Sequence, residues 1–401
     1  MNILWLSHIV PYPPKGGSLQ RSYNLLKEVA MRNSVFLVAF NQKALLPTKA
    51  AVEKSREKLK DHCRVVEVFD IPCERSRLSW YWLLIKNLFS SLPYSVKRLQ
   101  SIQVEEAVKK IISTHPIDVV YFDTIDLAQY ASCIGDLRSL MNHHNVESSL
   151  LLRRAKATRN PMEKLYIYIQ GKKLRSYESA NLIHFHVNLA VSEVDKSQLK
   201  SIAPEARVEV IPNGVDTSYF RRQSCSIRKN NLVFAGGMNW FPNRDAVLYF
   251  LKDIWPLISL TVPDISLTLI GRNPPKKAIE MSKMENIEVL GFVDDVRPYL
   301  AQAIACIVPI RVGGGTRLKI LDDLACGRAV ISTSVGCEGI DVTPGRNILI
   351  GDSPREFADQ VIKVCTDAKL VMSLGMEGRK LVEEKYSWNL IGERLNAIMS
   401  S

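Results

Sequence analysis

The sequence predicts an α/β chain of two successive domains, each a parallel, doubly wound sheet of Rossmann type, facing one another across a ligand cleft at their strand ends. Three observations carry this expectation. Short β-branched or aliphatic runs alternate with longer helical patterns from end to end. The alternation breaks once, at a long helical stretch around 161–181, and then starts again. Finally, 401 residues with 46% hydrophobic content suffice for two ordinary cores and are too many for one.

Taken in order, "NILWLS", "SVFLVAF", "RVVEVF", "IDVVYF" and "LRSLMN" are the strands of the first series. The second series comprises "VEVIP", "NLVFAGG", "ISLTLIG", "IEVLGF", "AIACIVPI", "RAVIST" and "NILIG". The expected domains are therefore 1–190, joined by a C-terminal helix within 386–401, and 191–385. Between "VEVIP" and "NLVFAGG", turn signals and weak periodicity mark a loop. In "GGMNWFPN", Asn243 is the expected cap of the following helix, with Pro242 fixing its entry.

Composition narrows the function. Eight cysteines, at 63, 73, 133, 225, 306, 326, 337 and 365, show no CxxC pair and no His/Cys cluster of zinc-site spacing. They read as reduced, buried thiols of a cytosolic protein. No apolar run approaches the roughly 20 residues that span a bilayer, and the N-terminus lacks signal-peptide features. The expected location is the cytoplasm, extending to the inner face of the plasma membrane. Net charge is +12, and residues 1–195 carry +9 of it, with 27 basic against 18 acidic side chains. Such an imbalance attracts anionic substrates or an anionic membrane surface. Nucleic acid is not expected as a partner, because the basic residues are scattered and no nucleic-acid motif is present. The aromatic run Trp80 to Leu92, flanked by Arg75, Arg77, Lys97 and Arg98, has two readings: an interfacial membrane helix, or a helix packed on the sheet with a basic rim.

Four stretches carry candidate chemistry. In the first, Gly16 and Gly17 precede a helix, where glycine admits close approach of a ligand and the helix N-terminus favours an anion. The spacing is not GxGxxG, which argues against a dinucleotide oxidoreductase. In the second, Gly236 closes the first strand of the C-terminal domain. A third pair of strand ends, "LIGRNPP" and "GFVDDVRPYL", supplies Arg272 as a cation for phosphate. The fourth and richest is "VPIRVGGGTRLKILDD", a buried strand, a glycine triplet, and a helix expected from about Thr316. The amides of Gly314, Gly315 and Thr316 would stand at the positive end of its dipole, with Arg317 and Lys319 adding charge suited to a diphosphate. Leu318 begins the apolar face, and Asp322 is placed to accept hydrogen bonds from a ribose diol.

These stretches, with "PYPPKGGSLQRSYNLL", "NHHNVESSLLLRRA" and "AVSEVDKSQL", together resemble the retaining, nucleotide-sugar-dependent glycosyltransferases of GT-B fold, the glycosyl transferases group 1, and most of all their bacterial exopolysaccharide-associated members. The resemblance spans nearly the whole chain. It implies a nucleoside diphosphate sugar bound mainly by the second domain, with base contacts from the backbone around Phe292 and Val293 and with Gly314 to Thr316 at sugar and phosphate. It implies a hexosyl transfer with retention to a glycan or lipid-linked acceptor, with no metal or other cofactor. Where the family commonly has glutamates eight positions apart, this chain has Gly314 and Asp322. The Arg and Lys usual after the first strand of the second domain are absent, and Arg317 and Lys319 are expected to replace them. In the first domain Asp123 stands where the family often has a catalytic histidine, and His144, with Glu147 nearby, follows another strand. Asp123, His144, Arg317 and Lys319 are the expected catalytic residues. A sugar-nucleotide 2-epimerase of the same fold and a catalytically degenerate scaffold are the alternatives.

Overall fold

The structure, a computed structural model, describes residues 1–14, 16–158, 160–223, 226–283 and 285–401. Cys225 and the side chains of Arg75, Arg77 and Trp80 lie outside what is described. The chain forms two compact units, Met1–Pro212 with Trp388–Ser401, and Asn213–Ser387.

The first unit contains β1 (Asn2–Ser7), α1 (Gly17–Ala30), β2 (Ser34–Asn41), α2 (Lys49–Leu59), β3 (Cys63–Asp70), α3 (Arg77–Leu88), α4 (Tyr94–Arg98), α5 (Ile102–Thr114), β4 (Val119–Phe122), β5 (Arg138–Asn142), α6 (Glu147–Ala157), α7 (Pro161–Asn181), β6 (Val187–Ala190), α8 (Glu193–Ile202) and β7 (Val208–Val210). Its seven strands run in the order β3-β2-β1-β4-β5-β6-β7, with every pairing parallel. The strands are apolar because both faces are covered by helices. Trp5 of β1 and Tyr121 of β4 stack at 3.7 Å between ring centroids, fully buried.

The second unit contains β8 (Asn231–Ala235), α9 (Phe241–Tyr249), α10 (Trp255–Thr261), β9 (Ser266–Ile270), α11 (Lys276–Met281), β10 (Ile287–Gly291), α12 (Arg297–Gln302), β11 (Ala305–Val308), α13 (Leu318–Ala325), β12 (Ala329–Ser332), β13 (Leu349–Ile350), α14 (Pro354–Thr366) and α15 (Ala368–Lys385). The sheet order is β10-β9-β8-β11-β12-β13, again parallel. The last helix, α16 (Trp388–Ser400), belongs to the first unit, where it packs on α1. Asn396 there accepts a hydrogen bond from Asn33, and Glu393 pairs with Arg32.

Two sequence expectations change. The division falls after Pro212 instead of at residue 190, because β6 and β7 extend the first sheet; "VEVIP" pairs with "VNLA" and does not open the second series. The returning helix accordingly begins at Trp388, two residues after the expected 386. The seven described cysteines are all free, five of them buried and two half-buried. No helix among the described residues is long and apolar enough to cross a membrane.

Candidate functional site

In an open parallel sheet, ligands bind at the carboxyl ends of strands where the winding reverses. The strand orders put those points between β1 and β4 in the first unit and between β8 and β11 in the second. Each point carries a cluster of polar groups.

In the second unit, Gly236 follows β8 and the glycine loop follows β11. The side chain of Lys319, from the first turn of α13, reaches over the Phe234 ring at 4.1 Å and donates to Asn243 Oδ1 at 2.8 Å. Its ammonium occupies the volume that a Cβ on residue 236 would need. Burial pulls the Lys319 ammonium down to about 7 against the attraction of Asp323, with Arg317 adding to the fall. Burial likewise raises Asp323 to about 7, opposed by Lys319, and raises Asp322 well above the usual carboxylate range, with Asp323 adding to the rise. The lysine is thus a cation held without full neutralisation, which an incoming phosphate would stabilise.

The loop differs in detail from its sequence reading. Helix α13 begins at Leu318 with Arg317 in the cap position, so Gly314, Gly315 and Thr316 precede the helix instead of opening it. Arg317 folds back, its Nη1 donating to the carbonyls of Gly314 and Gly315. It therefore organises the loop, while Lys319 presents the charge. Leu318 is buried, so its side chain belongs to the core. Thr316 Oγ1 accepts a hydrogen bond from Asn213, a residue that reads in sequence only as a turn former. Asn243 is not a cap: Trp240 takes the cap position, and Asn243 bridges Lys319 and the Gly237 carbonyl, to which it donates at 2.9 Å. Arg272, after β9, stacks on the exposed Phe292 ring at 4.5 Å, which joins two expected donor contacts; Val293 follows in the chain. Replacing Gly236 with alanine should displace the ammonium and weaken nucleoside diphosphate binding about tenfold, the cost of about 1.4 kcal/mol. Calorimetric titration checks this, with thermal melting as the fold control.

In the first unit the centre is Asp123, immediately after β4 and fully buried. Its Oδ2 accepts from Ser7 at 3.0 Å and Ser22 at 2.7 Å, and Asn142 donates to Oδ1 at 3.3 Å. His144 Nε2 lies 3.2 Å from Oδ1 and His8 Nδ1 lies 3.3 Å from Oδ2, the two rings 5.4 Å apart. Burial alone would raise the carboxyl; the imidazoles of His144 and His8 outweigh it and hold Asp123 well below the usual carboxylate range. Burial lowers His144 against the pull of Asp123. Nearby Glu147 is raised to about 7 by burial, with Asp126 adding to the effect.

Asp123 is fully buried and holds the two imidazoles in place. Gly16, at φ 130°, turns the chain into α1, whose first residue is Gly17; α1 then delivers Ser22 to Asp123 and buried Arg21 to Asn142 Oδ1, Nη2 donating at 2.8 Å. The sequence offers no zinc-type spacing, yet His8, Asp123 and His144 bring three ligand atoms within 4.8 Å of one another, a group able to hold a metal ion. The serine and asparagine donors already on Asp123 favour the hydrogen-bonded arrangement. His8, Ser22, Asn142, Asn213, Asn243 and Asp323 are absent from the sequence-based set. Of these, Asp323 had a readable signal, standing four residues after Lys319 on one helix face.

Two parallel doubly wound units, each polar at its switch point, define the GT-B class, and solved structures of that fold match nearly the whole chain. Among them is HepE of Anabaena in complex with UDP, at TM-score 0.69 and 13% identity, covering 100% of both chains. Residues 229–367 match the family model described as glycosyl transferases group 1. Among curated relatives, an uncharacterized 44.6 kDa protein in the cps region of Klebsiella pneumoniae is 24% identical over 175 residues, 42% of this chain and 45% of the relative. The GDP-mannose-dependent monoacylated alpha-(1-6)-phosphatidylinositol monomannoside mannosyltransferase of Corynebacterium glutamicum is 27% identical over 217 residues, 48% and 56% of the two chains. The chain thus spans about half the length of these two curated relatives.

Proposed function

We propose that this protein is a retaining hexosyltransferase that takes its sugar from a nucleoside diphosphate donor and passes it to a glycan or lipid-linked acceptor in bacterial polysaccharide synthesis. The observation that carries the proposal is the half-buried Lys319 ammonium packed against Gly236 at the switch point of the second sheet. In the transfer, the bond from the anomeric carbon to the diphosphate breaks as the acceptor oxygen bonds to that carbon. The acceptor's proton passes to the departing phosphate oxygen. Lys319 stabilises the charge that grows on the diphosphate, which is the main demand of such a reaction. Arg317 keeps the glycine loop in shape, and Asp322 accepts from the ribose. His144 and His8, held by Asp123, bind and orient the acceptor hydroxyl. The UDP on HepE, the GDP-mannose and phosphatidylinositol acceptor of the corynebacterial enzyme, and the cps location of the Klebsiella protein support this reading.

The positive charge that balances the leaving group is supplied by Lys319, so EDTA should leave turnover unchanged. A panel of UDP- and GDP-sugars should release nucleoside diphosphate in an acceptor-dependent way, and the product's anomeric configuration, read by NMR, should be that of the donor. Absence of binding and turnover with every donor would overturn the proposal. Release of an epimerised free sugar without acceptor would instead indicate a 2-epimerase.

A further inference from the structure

Helix α3 carries its apolar stripe outward. Leu78, Tyr81, Trp82, Ile85, Leu88 and the following Phe89 recur at helical spacing, and all are exposed, Phe89 at 90% and Leu78 at 74%. A helix of a folded domain ordinarily turns such a stripe toward the core, so a contiguous exposed one marks an interaction surface. The helix is firmly seated on its other side: Leu83 packs against the core, and Asn87 is fully buried. Asn87 donates to the Leu92 carbonyl at 2.8 Å, its Oδ1 accepts from Gln170 of α7 at 2.7 Å, and its carbonyl accepts from Lys173 at 2.7 Å. The outward stripe is therefore a fixed feature. Neighbouring α7 also exposes Met162, Leu165 and Tyr168.

We propose that this surface docks the first unit on an anionic lipid bilayer, the helix α3 lying in the interface with Trp82 and Phe89 as anchors. Charge selects the occupant. Residues 71–101 contain five basic side chains and one acidic, within a half of the chain that carries +9. Lys86 lies 5.8 Å from the Trp82 ring and Lys172 lies 5.7 Å from Tyr168, so each aromatic has an ammonium at its side. Aromatic bodies in the acyl boundary with lysines reaching headgroups is how an interfacial helix binds. A second copy of this chain would press the same lysines together and is disfavoured. At 12 residues, α3 is far too short to span the membrane. The chain enters α3 from the carboxyl end of β3, in the same parallel sheet whose carboxyl ends carry His8, Asp123 and His144. The inference rests on the proposed function only for the consequence that a lipid-linked acceptor would meet those residues at the membrane.

The test is vesicle flotation without donor. Wild type should float with vesicles containing about one-third phosphatidylglycerol and bind pure phosphatidylcholine several-fold less, with added salt weakening the anionic binding. The double variant Trp82→Ser, Phe89→Ser should lose at least about tenfold in partitioning. Lys86→Glu with Lys172→Glu should remove the preference for anionic lipid. All four positions are on the surface, and unchanged melting and nucleotide affinity confirm folding. Equal flotation of wild type and the aromatic variant, or no flotation of wild type, would overturn the inference. So would a concentration-dependent dimer, seen by light scattering, that the variant loses. The readout needs no catalysis, so failure of donor turnover and failure of membrane docking are separable.

Discussion

Lys319→Met lowers kcat/KM for the sugar nucleotide by about two to three orders of magnitude, the usual loss when one preorganised donor to a developing oxyanion is removed. The fold survives, because Asp323, already raised to about 7 by burial, takes up a proton when its partner is gone. The pH dependence follows from the same environment. Free Lys319 titrates at about 7, and a bound diphosphate raises that value. Above pH 7 the free enzyme holds a neutral amine, so binding takes up a proton and affinity falls about tenfold per pH unit. Asp323, itself at about 7, is the neighbouring group from which the variant must separate Lys319. Below pH 7 the lysine is already charged and its contribution to affinity is level. Calorimetry in buffers of different ionisation enthalpy reads the uptake directly, and Lys319→Met must abolish it. An uptake that persists in the variant would assign the titration to another group.

Asp123→Asn is the second large effect. The amide keeps the shape but cannot accept from both imidazoles, so kcat falls by about two to four orders of magnitude, as expected when an orienting carboxylate behind an imidazole is replaced. Donor affinity stays near wild type, which separates misplaced imidazoles from general damage. The stability of this centre has a defined sign. The Asp123 carboxyl is depressed in the folded state, so its contribution is present above the ordinary carboxylate value of about 4 and is lost as pH falls below it. His144 is depressed too, so protonation of the unfolded chain below about 6.5 also favours unfolding. Wild type should therefore lose melting temperature on acidification, and Asp123→Asn should flatten the lower part of that slope. If the slopes coincide, the carboxylate is not the acid-sensitive element.

Much of this was readable beforehand. Parallel strands covered on both faces appear as continuous apolar runs, so β1 to β5 and β8 to β12 stand out in sequence. What periodicity cannot tell is which sheet a strand joins; β7 is three residues long, reads in sequence as the start of the second series, and pairs with β6 in the first. The glycine loop was legible because strand, glycines and basic residues coincide within a few positions. His8 was not, since one histidine after one strand has no pattern. It gains meaning only when the strand order sets β1 beside β4, which brings His8 against Asp123 from 115 positions away. Asn243 reads as a cap because asparagine before a helix usually is one; here the helix starts earlier, and its side-chain amide holds Lys319.

The contact between Gly236 and Lys319 links two positions that evolution cannot treat separately. A Cβ at 236 would displace the Lys319 ammonium, which can move because it ends a flexible side chain, and would also crowd the side-chain amide of Asn243. Shortening residue 319 removes the nearest of these contacts and leaves the one to Asn243. Whatever residue 236 becomes therefore sets where the Lys319 ammonium can stand.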